Sequence, residues 1–309
     1  MLPMRRAKRA AAGTVFCALL VAGRATAQDM EPKAYAASPT GANFFVGSYA
    51  WSSGAVVFDP TLPVTDVRAQ VQGLVGAVGH TFGLFGDLAL ASVALPYAVA
   101  DVTGRVQEQA ASTARSGLAD ARIRLSVNLR GNPAMSAREF ARTRRRTIVG
   151  TSLTVSAPAG QYYPGKLINL GNNRWAFKPE VGISVPIRRL DADAYVGAWF
   201  FTSNASFYPG DMARTQDPLV AVQAHLSYSF LPRLWIAVDS TWYSGGRSRV
   251  ADGNPSTAVN NSRLGVTASL PIGSRYSFKV TYGSGIIVRT GTNFTTLAVA
   301  MQALWLTRR

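Results

Sequence analysis

Residues 120–129, Asp-Ala-Arg-Ile-Arg-Leu-Ser-Val-Asn-Leu, alternate polar or small side chains with apolar ones from end to end. Successive side chains of an extended chain point to opposite faces. Ala121, Ile123, Leu125, Val127 and Leu129 therefore share one face, and Asp120, Arg122, Arg124, Ser126 and Asn128 share the other. A soluble sandwich shows the same period, with its polar face in water. Length separates the two readings. Many such segments run about ten residues or more, which suits a tilted strand crossing a bilayer better than the shorter strands of a sandwich.

Similar segments are read at 42–51, 67–80, 87–99, 148–157, 175–186, 192–202, 219–230, 234–243, 262–270, 276–288 and 296–306. In 219–230, Val220, Val222, Ala224, Leu226, Tyr228 and Phe230 oppose Gln223, His225, Ser227 and Ser229; in 296–306, Leu297, Val299, Met301, Ala303 and Trp305 line one face. Segment 67–80 sets Val67, Ala69, Val71, Val75 and Ala77 against Arg68, Gln70 and Gln72. Long connections (52–66, 101–116, 130–146, 158–173, 203–217, 244–260) mix with short ones (81–84, 187–191, 231–233, 271–275). The expected fold is all-β: a transmembrane antiparallel β-barrel of about 12 strands over residues 41–309, with both chain ends on the periplasmic side. A doubly wound fold would need helices between the strands, and the pattern offers none.

The first residues supply the address. Arg5, Arg6, Lys8 and Arg9 precede an apolar run from Ala10 to Gly23, and Ala25-Thr26-Ala27 presents the small residues a signal peptidase reads. Residues 1–27 are expected to be a cleavable signal peptide and 28–40 a periplasmic lead-in. The single cysteine, Cys17, lies in the apolar run, so beyond it disulfides, thiol catalysis and thiolate metal sites are excluded. Past residue 27 there are 27 Lys/Arg and 16 Asp/Glu, a net charge of +11. Such a balance invites a nucleic-acid reading. An exported chain with no phosphate loop or recognition-helix pattern does not support one. Lumen arginines and contacts with anionic headgroups of outer-membrane lipids account for the excess. The arginines of 132–146 (Arg138, Arg142, Arg144, Arg145, Arg146) read as a solvated or headgroup-facing loop.

Function is then sought in the lumen. By these registers Asp120, Arg122, Arg124, Lys178, Glu180, His225 and Asp239 point inward, with Phe177, Val181 and Ile183 outward. Inward charges either pair to hold strand register or meet a solute. Tyr195, Trp199 and Phe201 share a face and offer an aromatic lumen surface. Trp51, Trp175, Trp199, Trp235, Trp242, Tyr228 and Trp305 also fit interface girdles. His225 with Ser227 on one strand face raises a hydrolase reading, but no orienting third residue, Gly-x-Ser-x-Gly elbow or metal-binding histidine pair accompanies them. No catalytic residue, cofactor or metal site is expected.

The ordered set Gly117-Leu-Ala-Asp120, Ser156-Ala-Pro158-Ala-Gly160-Gln-Tyr162, Leu170-Gly-Asn-Asn-Arg174, Trp175-Ala-Phe-Lys-Pro-Glu180-Val-Gly-Ile-Ser184 and Asp191-Ala-Asp-Ala-Tyr195-Val-Gly197-Ala-Trp199 resembles the MetA-pathway of phenol degradation family. The resemblance implies an outer-membrane barrel transporter of a Gram-negative bacterium for small aromatic or hydrophobic solutes. A structural or adhesion barrel with surface-binding loops is the alternative. The stretch Trp305-Leu-Thr-Arg-Arg309 departs from the terminal aromatic on which family barrels close and which the outer-membrane assembly machinery recognises, and Trp305 is the residue left to serve that role. Nothing in the sequence fixes an oligomeric state.

Overall fold

The computed structural model describes residues 30–57, 64–106, 109–288 and 291–307. The export segment and the proline-rich tip at 58–63 lie outside the described residues. In chain order the elements are β1 (Ala42–Val57), β2 (Val64–Leu84), β3 (Asp87–Val106), β4 (Gln109–Leu118), β5 (Ala121–Pro133), α1 (Ala137–Phe140), β6 (Ile148–Ala157), β7 (Ala176–Ile187) and β8 (Leu190–Phe201). They continue with β9 (Asn204–Phe207), β10 (Met212–Gln216), β11 (Leu219–Leu231), β12 (Leu234–Gly245), β13 (Ser248–Val250), β14 (Val259–Ile272), β15 (Tyr276–Val288) and β16 (Gly291–Leu306).

A sheet in hydrocarbon has no water to satisfy a free edge, so it must close. It does so here: β1 pairs with both β16 and β2, and β2 continues to β3, every neighbour antiparallel. β4 and β5 pair with successive stretches of the same strand, β3, so they form one stave interrupted at Ala119-Asp120. The wall is a closed barrel of twelve staves. β9, β10 and β13 stand apart as a small sheet above the extracellular end.

Side-chain exposure follows the alternation. On β7, Phe177 (37%), Val181 (58%) and Ile183 (40%) are exposed outward, while Ala176, Lys178, Glu180, Gly182 and Ser184 are buried inward. Two expectations shift. On β2 the exposed members are Leu74 and Val78, whereas Val67 and Ala69 are buried. This strand has 21 residues, about twice the length a tilted bilayer crossing needs. Its upper part stands in the medium, where Arg68 and Gln70 face water and the small apolar residues turn inward. The arginine-rich connection between β5 and β6 is long yet sits at the end that carries the chain termini, beside Thr40 and its bond to the Met135 carbonyl. The other four connections at that end are tight, as at Phe85-Gly86, where both residues have positive φ (52° and 91°).

Val181→Arg puts a guanidinium at the centre of the outward face of β7. It is expected to cost about 2–4 kcal/mol of unfolding free energy measured in lipid vesicles. An unchanged value would contradict the outward placement.

Candidate functional site

Residues 30–41 do not hang below the barrel as a lead-in. They enter it and bind the inner wall. Met30 and Tyr35 are buried, and Tyr35 is 2% exposed. A Cβ built on Gly150 or Gly182 would lie 2.3 or 2.4 Å from the Tyr35 ring, so these two glycines on β6 and β7 make the slot in which the ring sits. The ring also meets Tyr195 edge-on at 5.2 Å. At the other side of the lumen, Met30 lies against Gly265 of β14.

Polar contacts fix the same segment. Glu180 is the hub: one carboxylate oxygen accepts from the Tyr35 hydroxyl (3.1 Å) and faces Arg124 (3.5 Å), and the other accepts from Lys178 (3.0 Å) and Gln223 (3.3 Å). Arg124 also pairs with Glu31 at 2.9 Å and lies over the Tyr35 ring at 5.4 Å. Lys33 pairs with Asp191, its amide donates to Asp193 (3.3 Å), and its ammonium lies 5.6 Å from the centre of the Trp235 ring. Arg145, from the arginine-rich connection, pairs with the same Asp191. The amide of Ala34 donates to the Tyr195 hydroxyl at 3.1 Å. Where the segment leaves the barrel, Asn132 donates to the Ser38 carbonyl and Thr81 to the Pro39 carbonyl. Buried pairs of this kind are costly to break by removing one partner, because the other is left charged and dry.

The inward residues read from the sequence fall into three groups. Arg124, Lys178, Glu180 and Tyr195 surround the inserted segment. His225 and Asp239 bond to each other at 2.7 Å, and the second Asp239 oxygen accepts from Thr267 at 2.6 Å. Among the described residues the Ser227 hydroxyl and His225 Nε2 both lack a hydrogen-bond partner, so the imidazole is bonded through Nδ1 to a carboxylate and not to a hydroxyl. Asp120 is buried but, among the described residues, takes no part in a cross-lumen ion pair. It accepts from the amides of Gly160 (3.1 Å) and Asn172 (2.9 Å) and from the Asn172 side chain (2.8 Å), tying the loop after β6 onto the break between β4 and β5. Arg122 follows it on the inward face of β5, half-buried.

Higher up, Trp199 packs with Ala176 and Leu219, with Phe201, Tyr243 and Val259 against them. The Lys178 ammonium lies 5.5 Å from the centre of the Trp199 ring. Trp199 (7% exposed) and Trp235 (8%) are thus lumen residues and not girdle members. Trp51, Trp175, Trp242 and Trp305 are exposed on the outside. Sequence reasoning missed Glu31, Lys33, Tyr35, Asp191 and Asp193. The inward parity of Asp191 and Asp193 with Tyr195 was an available signal; for the inserted segment there was none. Among the described residues no group of three or more His, Cys, Asp or Glu could hold a metal ion.

A family model described as MetA-pathway of phenol degradation matches residues 39–302. The chain belongs to that family. Its closed antiparallel barrel is the fold of outer-membrane proteins. Among solved structures it resembles an outer membrane channel from Pseudomonas putida F1, with a TM-score of 0.76 and 19% identity over 90% of this chain and 100% of that one. It also resembles the beta domain of the Bordetella autotransporter BrkA, with a TM-score of 0.50 and 11% identity over 86% of this chain and 100% of that one. At such identities the likeness is one of fold. No curated protein matches the chain.

Burial lowers the Lys33 ammonium from 10.5 to about 8, with the Asp193 carboxylate opposing the shift. The docked residue therefore gives up its proton at a pH where the solvated one keeps it. Docking is linked to proton release, and raising the pH from about 8 toward 10.5 favours the docked segment. The conductance of the reconstituted protein is expected to fall across that window, and Lys33→Met to abolish the fall. A conductance that rises with pH would contradict the linkage.

Proposed function

We propose that the barrel passively admits small aromatic or otherwise apolar compounds through the outer membrane. The observation that carries this reading is the cluster of Ala176, Trp199, Leu219, Phe201, Tyr243 and Val259 on the inner wall. A wall built only to hold water has no use for an aromatic surface there. An apolar solute leaving water gains about 25 cal/mol for each Å² it covers. Ligand sites of this kind combine an apolar lining with a few placed polar groups, and Lys178, Glu180 and Gln223 are such groups. Residues 30–41 lie between this surface and the periplasm, so passage is coupled to their release from Glu180 and Asp191.

The outer leaflet of the outer membrane is the barrier that matters, so the test uses intact cells. Cells making the protein are expected to take up labelled 4-phenylbutanol faster than cells lacking it, and Tyr35→Ala to raise the rate further by loosening the inserted segment. Equal uptake with and without the protein, for this and other apolar solutes, would overturn the reading.

A further inference from the structure

At the periplasmic end of the inner wall acids and cations are mixed: Asp191 and Asp193 near the start of β8 lie with Lys33 and Arg145, and Lys279 near the start of β15 lies over Trp235. Arg122, Arg124, Lys178 and Arg263 lie toward the extracellular side of β5, β7 and β14. In that upper part the carboxylates are already engaged. Glu180 serves Arg124, Lys178, Tyr35 and Gln223, and Asp120 serves loop amides.

Arg263 stands out within this set. It faces inward in register with buried Thr241. Its guanidinium donates to the Phe294 carbonyl at 2.7 Å, and its Nε is buried with no hydrogen-bond partner. Among the described residues it has no carboxylate partner. Tyr243, a member of the aromatic cluster, follows Thr241 on the same inward face of β12. On the β2 wall a Cβ built on Gly73 meets nothing within 4 Å, so there is open space there. This half-buried guanidinium is held by the Phe294 carbonyl and lies beside the Tyr243 phenol, with no carboxylate to balance it among the described residues, and a planar carboxylate is the group that fits its fork of donors.

We propose that the upper lumen is a binding site for amphipathic carboxylates, with the aromatic cluster taking the apolar body and Arg263 the anionic group. The proposal rests on the transport reading and adds to it a sign of charge. The carboxylate forms N–H···O bonds to Arg263, replacing the Phe294 carbonyl as its main partner. Cationic amphiphiles meet Arg263, Arg122 and Lys178 first and are disfavoured.

Three solutes of one shape test it: 4-phenylbutyrate, 4-phenylbutanol and 4-phenylbutylammonium. Calorimetry on the purified protein is expected to show the carboxylate binding about tenfold tighter than the alcohol, with the ammonium weakest. Uptake by cells should follow the same order. Arg263→Gln removes the carboxylate's advantage over the alcohol, while Arg263→Lys keeps part of it. Equal binding of all three, or a carboxylate advantage that survives in Arg263→Gln, overturns the assignment while protein-dependent uptake of the alcohol still stands. If Arg263→Gln does not assemble, the order of the three solutes on the native protein decides alone. Absence of any protein-dependent uptake fails the transport reading instead.

Discussion

Hydrocarbon offers a peptide group no hydrogen-bond partner, and the rest of this molecule follows from that. Every N–H and C=O in the span must find another strand, so the sheet closes through β1 with β16 on one side and β2 on the other. Closure fixes an inside and an outside, and the two-residue period of the strand sorts the side chains between them. The outer face needs only to be apolar. The inner face then carries the polar groups, and each of those in turn needs a partner inside the cylinder.

That second requirement shapes the lumen. Glu180 brings together groups from β5, β7, β11 and the inserted segment. Tyr35 contributes a hydroxyl to that network and a ring that fills the space left by Gly150 and Gly182. The inserted segment thus behaves as an internal ligand of its own barrel, held by shape at Tyr35 and by charge at Glu31. A side chain at either glycine would collide with the ring, and loss of Glu180 would leave Arg124 and Lys178 without their shared carboxylate. The wall and the segment are complementary, and the aromatic surface above them lies on the extracellular side of the obstruction.

The sequence disclosed the wall more readily than its contents. Alternation is a local property, so the outward faces of β5, β7, β11, β12 and β16 were legible from neighbouring residues alone. It failed on β2 because small apolar residues, Val71, Gly73, Val75 and Ala77, line the inner face of that strand while Leu74 and Val78 face out, so the rule that assigns polar residues to the lumen does not hold there. Trp235 was misplaced for a related reason: an aromatic residue near a strand end suits a girdle or a lumen equally well, and only the cations around it decide. Arg263 could have been read from its parity with Gly265 and Thr267. Tyr35 could not, since its hydroxyl partners are 117 and 145 residues away along the chain and nothing in residues 30–41 records them.

The most direct test of this account locks the inserted segment in place. Tyr35→Cys with Gly150→Cys puts two thiols where a Cβ on Gly150 would stand 3.0 Å from the Tyr35 ring carbon nearest the backbone. The only native cysteine is Cys17. With the pair oxidised, uptake of 4-phenylbutanol should drop to that of cells lacking the protein, and a reductant should restore it. Undiminished uptake with the disulfide formed would show that solutes do not pass where residues 30–41 now lie, and the account would fail.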